Sequence, residues 1–330
     1  MNAALAMPIV DPDLEARLRT RMDEVEKALL DHVQSEASFV TQAARHLMDA
    51  GGKRFRPLLV LLAAETGDPS RDGVLTSACI VELTHLASLY HDDVMDEADV
   101  RRGAASANAR WGNHVAILTG DFLFSKSSEL TADLGSDAVR IQARTFTRLV
   151  EGQILETLGP TDDQDPLEHY LRVVAGKTGS LIATSARYGA RFSGAPRDVE
   201  EALTEYGEKV GVAFQLSDDI LDIASETEVS GKTPGTDLRE GVPTLPVLIA
   251  MRSTDPADAR LLELFSSDLT DDALHSETLA LLRAHRAMAE ARAYVVDLAS
   301  EAKTLLKVLP DSPVRTALEG FADVVATRSS

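Results

Sequence analysis

Apolar residues recur at three- and four-residue spacing along most of the chain, without extended alternating stretches. This spacing is the helical period rather than the strand period. The pattern predicts helices over residues 14–34, 37–50, 58–66, 73–97, 112–134, 136–158, 166–190, 198–224, 242–252 and 278–308. Glycine and proline fill the gaps, and Pro310 ends the last helix. The sequence therefore predicts an all-α fold.

No composition shift or low-complexity linker separates these helices into domains. We therefore expect residues 1–330 to form a single domain, a large helical bundle. The longest irregular segment, 225–241, is rich in glycine, threonine and charge, and it directly follows an acidic cluster. Long loops in compact domains are often functional lids, although a plain surface connection is the alternative.

The amino-acid composition indicates a soluble protein and argues against several kinds of partner. Of the 330 residues, 44% are hydrophobic and 26% charged, which is typical of a soluble protein with a sizeable core. The net charge of -20 argues against nucleic acid or an anionic membrane as a partner. The single cysteine, Cys79, excludes an intrachain disulfide and fits a reducing compartment. With no basic N-terminal segment and no apolar run long enough to cross a membrane, we expect a cytoplasmic protein without an integral membrane segment.

Two aspartate clusters carry the first chemical signal, because Asp-Asp-Val-Met-Asp at 92–96 recurs in form as Asp-Asp-Ile-Leu-Asp at 218–222. Residues four apart share a helix face, so the outer aspartates of each cluster point the same way. Carboxylates one turn apart repel unless something neutralises them, and oxygen-only ligands of this kind suit magnesium. An acidic helix end facing water is the alternative for a single cluster, but two matching clusters favour a metal. The predicted ligands are Asp92, Asp93, Asp96, Asp218, Asp219 and Asp222.

Basic groups suited to phosphate accompany both clusters. In segment 51–57, two glycines let the backbone approach a ligand closely, and three cations follow within four positions. His85 lies seven residues before Asp92, on nearly the same helix face, and is a candidate phosphate donor, with a structural role as the alternative. His91 has an expected orienting or packing role. Further candidate cations are Arg101, Arg102, Lys177, Lys232 and Arg239.

With these motifs in place, the sequence resembles the trans-isoprenyl diphosphate synthase family. The resemblance spans most of residues 37–250, while residues 251–330 are similar only in being helical. The matching segments are GGKRFRP (51–57), HDDVMDEADVRRG (91–103), GDFLFSKS (120–127), AGKTGSLIATS (175–185), FQLSDDILD (214–222) and GKTPGTDLREGVPTLP (231–246).

The resemblance implies an all-α homodimer in which the two aspartate motifs face each other across a central cavity, with three magnesium ions per active site once substrate is bound. It makes Asp92, Asp96 and Asp218 the main metal ligands, and it makes Asp92, Asp96, Arg101, Lys177, Asp218 and Lys232 the catalytic residues. The residues expected to hold the allylic diphosphate are Arg101, Lys177, Thr178, Gln215 and Lys232. Those expected to hold isopentenyl diphosphate are Lys53, Arg56, His85 and Arg102.

The implied reaction joins isopentenyl diphosphate to an allylic diphosphate, farnesyl or geranylgeranyl, in the trans configuration. Magnesium and the cations stabilise charge on the departing diphosphate. The isopentenyl double bond attacks the allylic cation, and the released diphosphate takes the final proton. Closure of the 225–241 lid would keep water away from the cation.

Product length depends on the residues that precede Asp92 on its helix. Val81, Thr84, Ala87 and Ser88 form the predicted chain-length pocket, spaced by turns of about 5.4 Å. Short-chain relatives tend to place aromatic rings where Ala87 and Ser88 stand, so we expect a long product, around the size of a quinone side chain. Geranylgeranyl length is the alternative, in which a neighbouring helix supplies the pocket floor. Ala87→Phe is predicted to shorten the product.

Two other functions compete with this one. A class I terpene cyclase also uses an aspartate-rich metal motif, but the sequence resembles cyclases less, because they lack the GGKR and RRG segments. A regulatory subunit of a heteromeric synthase is the non-enzymatic alternative. Such subunits often lack one of the motifs, whereas this chain has the full set.

Overall fold

The computed structural model describes Met7 and residues 9–225 and 234–327. These residues form an all-α fold, as the sequence predicts. The helices up to the second aspartate cluster are α1 (Pro12–His32), α2 (Ser38–Asp49), α3 (Phe55–Ala64), α4 (Asp72–Met95), α5 (Ala107–Trp111), α6 (Asn113–Asp133), α7 (Ser136–Leu158), α8 (Pro166–Val174), α9 (Ser180–Ser193) and α10 (Arg197–Ala224). Those that follow are α11 (Thr236–Arg239), α12 (Leu245–Ala250), α13 (Ala259–Leu264), α14 (Asp272–Ala284), α15 (Ala287–Leu305) and α16 (Pro313–Thr327).

The chain separates into two compact units, each assembled from distant stretches of sequence. The first unit comprises Met1–Thr147, Leu181–Gly207 and Leu306–Gly320, and the second comprises Arg148–Ser180, Glu208–Leu305 and Phe321–Ser330. The prediction that residues 1–330 form one domain stays a prediction.

In the first unit, α4 is the central helix and packs against α6, α3 and α1. Most of α4 is buried, because its residues from Ser77 to Thr84 are apolar or small with the single exception of Glu82. The hydroxyl of buried Tyr90 donates to the carbonyl of Ala43 (2.5 Å) and accepts from the backbone N–H of Leu47 (3.2 Å). These bonds fix α2 against the C-terminal half of α4, where the first aspartate cluster lies.

Helix α4 is also long and apolar enough to cross a membrane by length and composition. It is the one helix of the described residues that meets this test, and 67% of its apolar window is buried inside the protein. The buried central helix of a water-soluble protein meets the same test.

The structure corrects two predicted helices. Residues 278–308 do not form one helix: α14 ends and α15 begins around His285, whose backbone is extended (φ -77°, ψ 146°). The His285 ring replaces the missing backbone bonds, since its Nδ1 accepts from the N–H of Ala287 (3.1 Å) and its Nε2 contacts Asp258 Oδ2 (3.0 Å). The predicted helix 166–190 is interrupted by a π-helical turn at Ala175–Gly179.

The structure also adds a hairpin that the periodicity does not predict. Strands β1 (Val100–Arg101) and β2 (Ala104–Ala105) pair antiparallel, with Arg102 and Gly103 as the two-residue turn. Both turn residues have positive φ (54° and 76°), as the tight turns favoured in hairpins require. The hairpin carries both arginines of the Arg101-Arg102-Gly103 segment.

Candidate active site

The first aspartate cluster lies at the C-terminal end of α4. Asp92 is half-buried, Asp93 is fully buried, and Asp96 is the exposed C-cap, whose N–H donates to the carbonyl of Asp92 (2.8 Å). No basic residue stands in the last turn of this helix. The C-terminal end of a helix carries partial negative charge, so three carboxylates there are unfavourable without a cation. The placement therefore fits a site for a positively charged ligand.

Arg101 is a protein cation that pairs with this cluster. Its Nε donates to Asp93 Oδ1 at 2.6 Å, and its Nη2 lies 4.0 Å from Asp96 Oδ2. Burial raises the pKa of Asp93, and the Arg101 hydrogen bond and charge oppose that shift. The other oxygen, Oδ2, is buried and has no hydrogen-bond partner among the described residues. Arg101 thus compensates one face of the cluster.

A cationic pocket lies on the N-terminal side of this cluster, around His85. Burial, followed by the charges of Arg56, Arg102, Arg54 and Arg101, holds the pKa of His85 well below its usual range. Burial likewise lowers the pKa of Arg56 to about 10, and Arg56 Nε has no hydrogen-bond partner in this part of the structure. Lys53 is exposed beside them. Such concentrated positive charge around a neutral imidazole suits a polyanion.

Backbone strain accumulates at these segments. Among the described residues, the non-glycine residues with positive φ are Arg54 (48°), Glu97 (50°) and Arg102 (54°). Each costs about 1 kcal/mol relative to a glycine. One lies in the 51–57 segment, one directly follows Asp96, and one forms the hairpin turn. Strain that persists at adjoining segments points to a functional requirement.

The glycines of segment 51–57 allow Arg102 to approach the loop. A Cβ on Gly52, whose φ is 138°, would lie 2.8 Å from the guanidinium carbon of Arg102. Arg102 Nη1 donates to the carbonyl of Leu47 (2.8 Å) and to the carbonyl of Gly51. Arg102 is therefore fixed by backbone carbonyls, with its guanidinium against the glycine loop.

Arg54 departs from the sequence interpretation of three cations directed at phosphate. It is buried and pairs with Glu26 (2.5 Å) and Glu82 (3.1 Å), which lie on α1 and α4. Neither carboxylate was a sequence candidate. Their separation from Arg54 along the chain, 28 residues in each direction, gives no spacing signal.

The second aspartate cluster lies at the C-terminal end of α10, again with no basic residue in the last turn. Asp218 and Asp222 are half-buried, and Asp219 is buried. Two residues at the start of the next described segment contact Asp222: Gly235 N–H donates to its carbonyl (2.9 Å), and Asp237 N donates to its Oδ2 (3.3 Å). The same unfavourable helix-end placement therefore occurs twice in the chain.

In the part of the chain that the structure describes, neutral donors rather than a cation accompany the middle aspartate of this cluster. The hydroxyl of Tyr170 donates to Asp219 Oδ2, and Gln215 Nε2 donates to Oδ1 at 2.9 Å. Thr178 Oγ1 in turn donates to Gln215 Oε1 (3.0 Å). Burial raises the pKa of Asp219 to about 6, despite these hydrogen bonds. Gln215 and Thr178 were sequence candidates, whereas Tyr170, 49 residues before Asp219, was not.

Asp237 is a further acidic group that sequence reasoning missed. Burial, followed by the negative charges of Asp219 and Asp222, raises the pKa of Asp237 to about 7. Its position inside the GKTPGTDLREGVPTLP segment was available as a signal, since it is the only aspartate of that segment. Arg239, two residues later, donates instead to Asp272 (2.8 Å) and to the carbonyl of Thr270 (3.2 Å).

Lys177 lies in the π-helical turn and pairs with Glu156 Oε2 at 2.5 Å. The turn accommodates a close crossing of backbones: a Cβ on Gly152 would lie 2.6 Å from the N of Lys177. Single π-helical turns are frequent at functional sites because they redirect side chains. Lys232 lies outside the described residues, as does most of the predicted lid, 226–233.

The predicted chain-length residues line the inner part of α4. Val81, Thr84 and Ala87 are fully buried, and Ser88 is half-buried. Thr84 Oγ1 donates to the carbonyl of Ile80 (2.8 Å), lies 2.8 Å from Ser127 Oγ on α6, and accepts from Gln142 Nε2 on α7 (2.7 Å). His91 has the packing role expected of it, since its ring covers Gly120 and Phe124.

The donor chemistry of both clusters fits magnesium. Among residues 9–225 and 234–327, no three His, Cys, Asp or Glu side chains form a metal-holding group by themselves. Magnesium does not need one, because it commonly takes one or two carboxylates and completes its shell with water and phosphate. The unpartnered Oδ2 of Asp93 and the aspartates at the two helix ends, whose last turns carry no basic residue, supply carboxylates of that kind.

Comparison with known proteins places these features in a family context. A family model described as polyprenyl synthetase matches residues 37–282. The chain is 48% identical over 319 residues to nonaprenyl diphosphate synthase of Mycobacterium tuberculosis, covering 96% of this chain and 95% of that protein. It is 34% identical over 308 residues to octaprenyl diphosphate synthase of Escherichia coli, covering 93% and 95%. The crystal structure of Corynebacterium glutamicum geranylgeranyl pyrophosphate synthase complexed with calcium and isoprenyl diphosphate has a TM-score of 0.89 at 45% identity, covering 98% of this chain and 99% of that one.

Proposed function

The chain belongs to the polyprenyl synthetase family, and we propose that it condenses isopentenyl diphosphate with an allylic diphosphate to make a long trans-polyprenyl diphosphate. The observation that carries the proposal is the recurrence of an acidic helix end, at α4 and at α10, each accompanied by predicted diphosphate-binding residues. The similarity to nonaprenyl and octaprenyl diphosphate synthases over nearly the whole chain supports a prenyltransferase that makes medium to long chains.

Each predicted residue has a defined part in this proposal. The magnesium ligands are Asp92, Asp93, Asp96, Asp218, Asp219 and Asp222. Magnesium bound there would neutralise charge that develops on the departing diphosphate. Arg101, Lys177, Thr178, Gln215 and Lys232 hold the allylic diphosphate, and Lys53, Arg56, His85 and Arg102 hold isopentenyl diphosphate.

The electrostatics of the cationic pocket support the second assignment. A neutral His85 can donate one ring N–H to a phosphate oxygen without adding a fifth positive charge to the four arginines around it. Arg56 retains an unpartnered Nε in the same pocket, and a bound diphosphate would satisfy it. The pocket therefore carries donors suited to a homoallylic diphosphate.

The long product rests on the small residues of α4. Ala87 and Ser88 precede Asp92 by one turn, and neither obstructs a growing chain with an aromatic ring. Farnesyl or geranylgeranyl diphosphate is the proposed primer, and geranylgeranyl diphosphate is the alternative product, as in the Corynebacterium glutamicum structure. We further propose a homodimer in the cytoplasm, where a single buried thiol, Cys79, needs no oxidising compartment.

The test incubates the purified chain with magnesium, labelled isopentenyl diphosphate and farnesyl diphosphate, and sizes the dephosphorylated products by chromatography. A ladder ending at a defined long polyprenol supports both the reaction and the open pocket. Geranylgeraniol as the final product would retain the reaction and overturn the long-chain assignment. No incorporation with any allylic primer would overturn the proposed reaction of the isolated chain.

Variants near the cluster test the pocket separately. We expect Ala87→Phe and Ser88→Phe to shorten the main product by at least one isoprene unit, because the ring would stand in the path of chain growth. Leu89→Phe is the matched control: it is half-buried and adjacent, but about 100° further round the helix. Equal product lengths in all three variants would contradict this account of the pocket.

A further inference from the structure

Arg54 is held by more hydrogen bonds than any other cation of the cationic pocket, and all of them go to groups of the protein. Its Nε donates to Glu26 Oε1, its Nη1 to Glu82 Oε1 and the carbonyl of Gly51, and its Nη2 to Glu26 Oε2 and the carbonyl of Met48. A guanidinium has five N–H donors, so this set uses all of them. Arg54 therefore has no donor left to bind a substrate.

The two carbonyl acceptors of Arg54 belong to the turn that precedes the substrate-binding cations. Helix α2 ends at Asp49, so the carbonyls of Met48 and Gly51 lie at or beyond its C-terminal end. Carbonyls at a helix end lack intrahelical partners and carry partial negative charge, which a guanidinium satisfies. Arg102 Nη1 donates to the carbonyl of Gly51 as well, and to that of Leu47. Both Arg54 and Arg102 thus donate hydrogen bonds to the carbonyl of Gly51 and fix the Gly51–Gly52 turn.

The two carboxylates fix Arg54 in turn. Glu82 is 2% exposed and lies on α4, one turn before His85, whereas the side chain of Glu26 on α1 is 43% exposed. Arg54 links three helices of the first unit to the glycine turn, while its own backbone is left-handed (φ 48°) at the start of α3. The side-chain bonds compensate for that backbone strain.

We propose that Arg54, clamped by Glu82 and Glu26, is a positioning residue that sets the Gly51–Gly52 turn and thereby directs Lys53 and Arg56 toward the diphosphate of the homoallylic substrate. The proposal rests on the proposed function. Lys53 and Arg56 flank Arg54 on either side, so a shift of its backbone moves both. A lysine at this position supplies three donors from one atom, which cannot span two carboxylates and two carbonyls.

The experiment separates positioning from folding. Arg54→Lys keeps the buried positive charge beside Glu82. The double variant Arg54→Met/Glu82→Gln removes the buried charges of both residues together. Neither variant therefore leaves a buried charge without a partner. We expect both variants to fold, with KM for isopentenyl diphosphate raised about tenfold, less than the roughly hundredfold that a 1 Å misplacement can cost. The KM for the allylic diphosphate should change less than about twofold. Arg17→Lys, in the exposed Arg17–Glu65 pair of the same unit, is the matched control and should leave both constants unchanged.

Binding of isopentenyl diphosphate alone, measured by titration calorimetry, gives a readout without turnover. We expect about tenfold weaker binding in both Arg54 variants and wild-type binding in Arg17→Lys. Folded Arg54 variants that bind isopentenyl diphosphate as tightly as the wild type would overturn the positioning role, and so would equal increases in both KM values. If the wild type binds isopentenyl diphosphate but transfers no prenyl group, the proposed function fails while the binding comparison still decides the role of Arg54.

Discussion

The two aspartate clusters have the same sequence form and the same place at a helix end, yet their middle aspartates have different partners. Asp93 is paired with a cation, Arg101, at 2.6 Å. Asp219 is held by two neutral donors, Tyr170 and Gln215. Burial raises the pKa of both, but within residues 9–225 and 234–327 only Asp93 has a protein cation that stabilises its charged form.

The spacing of the aspartates determines which of them share a helix face. The residues that contact each carboxylate determine how strongly its charged form is stabilised. In the first cluster, the positive charge of Arg101 lies beside the carboxylates, because the hairpin that carries Arg101 directly follows α4. In the second cluster, burial raises the pKa of Asp219 to about 6 and that of the neighbouring Asp237 to about 7, so a bound cation would favour the charged form of both carboxylates. We therefore predict that the second cluster depends more strongly on bound metal than the first.

The largest expected effect comes from removing a main ligand of either cluster. Asp92→Asn and Asp218→Asn should each lower kcat by about a thousandfold, because preorganised charge at the leaving group usually dominates such catalysis. We also expect the magnesium concentration that gives half of the remaining activity to rise more in Asp218→Asn than in Asp92→Asn. Steady-state rates across a magnesium series measure both. Asp72→Asn, at the opposite end of α4, is the control, and a similar loss there would contradict the assignment.

A smaller effect on stability distinguishes the cationic partner from the neutral one. Arg101→Leu leaves the buried Asp93 carboxylate unpaired and should lower the free energy of unfolding by about 2 kcal/mol, the low end for such a pair because Arg101 is partly exposed. Tyr170→Phe removes one hydrogen bond and should cost about 1 kcal/mol. Urea unfolding of the metal-free protein measures both variants. Equal losses, or a larger loss for Tyr170→Phe, would break the comparison.

The smallest expected effect is a difference in the sign of the pH dependence. The pKa of Asp237 is raised to about 7, so between pH 4 and 7 the folded state holds a proton that the unfolded state has released, and stability falls as the pH rises. The pKa of His85 is lowered well below 6.5, so the unfolded state gains a proton below that pH and stability falls as the pH falls.

Single variants separate these two contributions in metal-free protein. Relative to the wild type, Asp237→Asn should gain stability above pH 7 and His85→Asn should gain it below pH 6, each by about 1 kcal/mol after allowance for solvent screening. Unfolding at pH 5, 7 and 8.5 provides the measurement. Stability differences that stay constant across this range would rule out both contributions.

The sequence by itself determined the all-α fold, most helix positions and the location of both aspartate clusters on helices. These features depend on the helical period and on residues four apart, which are local properties of the chain. The break at His285 escaped prediction because a histidine side chain replaces the backbone bonds there, with no glycine or proline to mark it. The hairpin at Arg102 could not be predicted from the hydrophobic pattern, because its strands have only two residues each, too few to show a strand period.

Only the tertiary structure determined which residues contact Asp219 and Arg54. Tyr170 contacts Asp219 across 49 residues of sequence, and Arg54 joins Glu26 and Glu82 from 28 residues away on either side. Packing of distant helices creates these pairs, and no spacing in the sequence encodes them. The charge of a carboxylate and the direction of a cation depend on such neighbours and on burial, so both became visible only when the helices were packed.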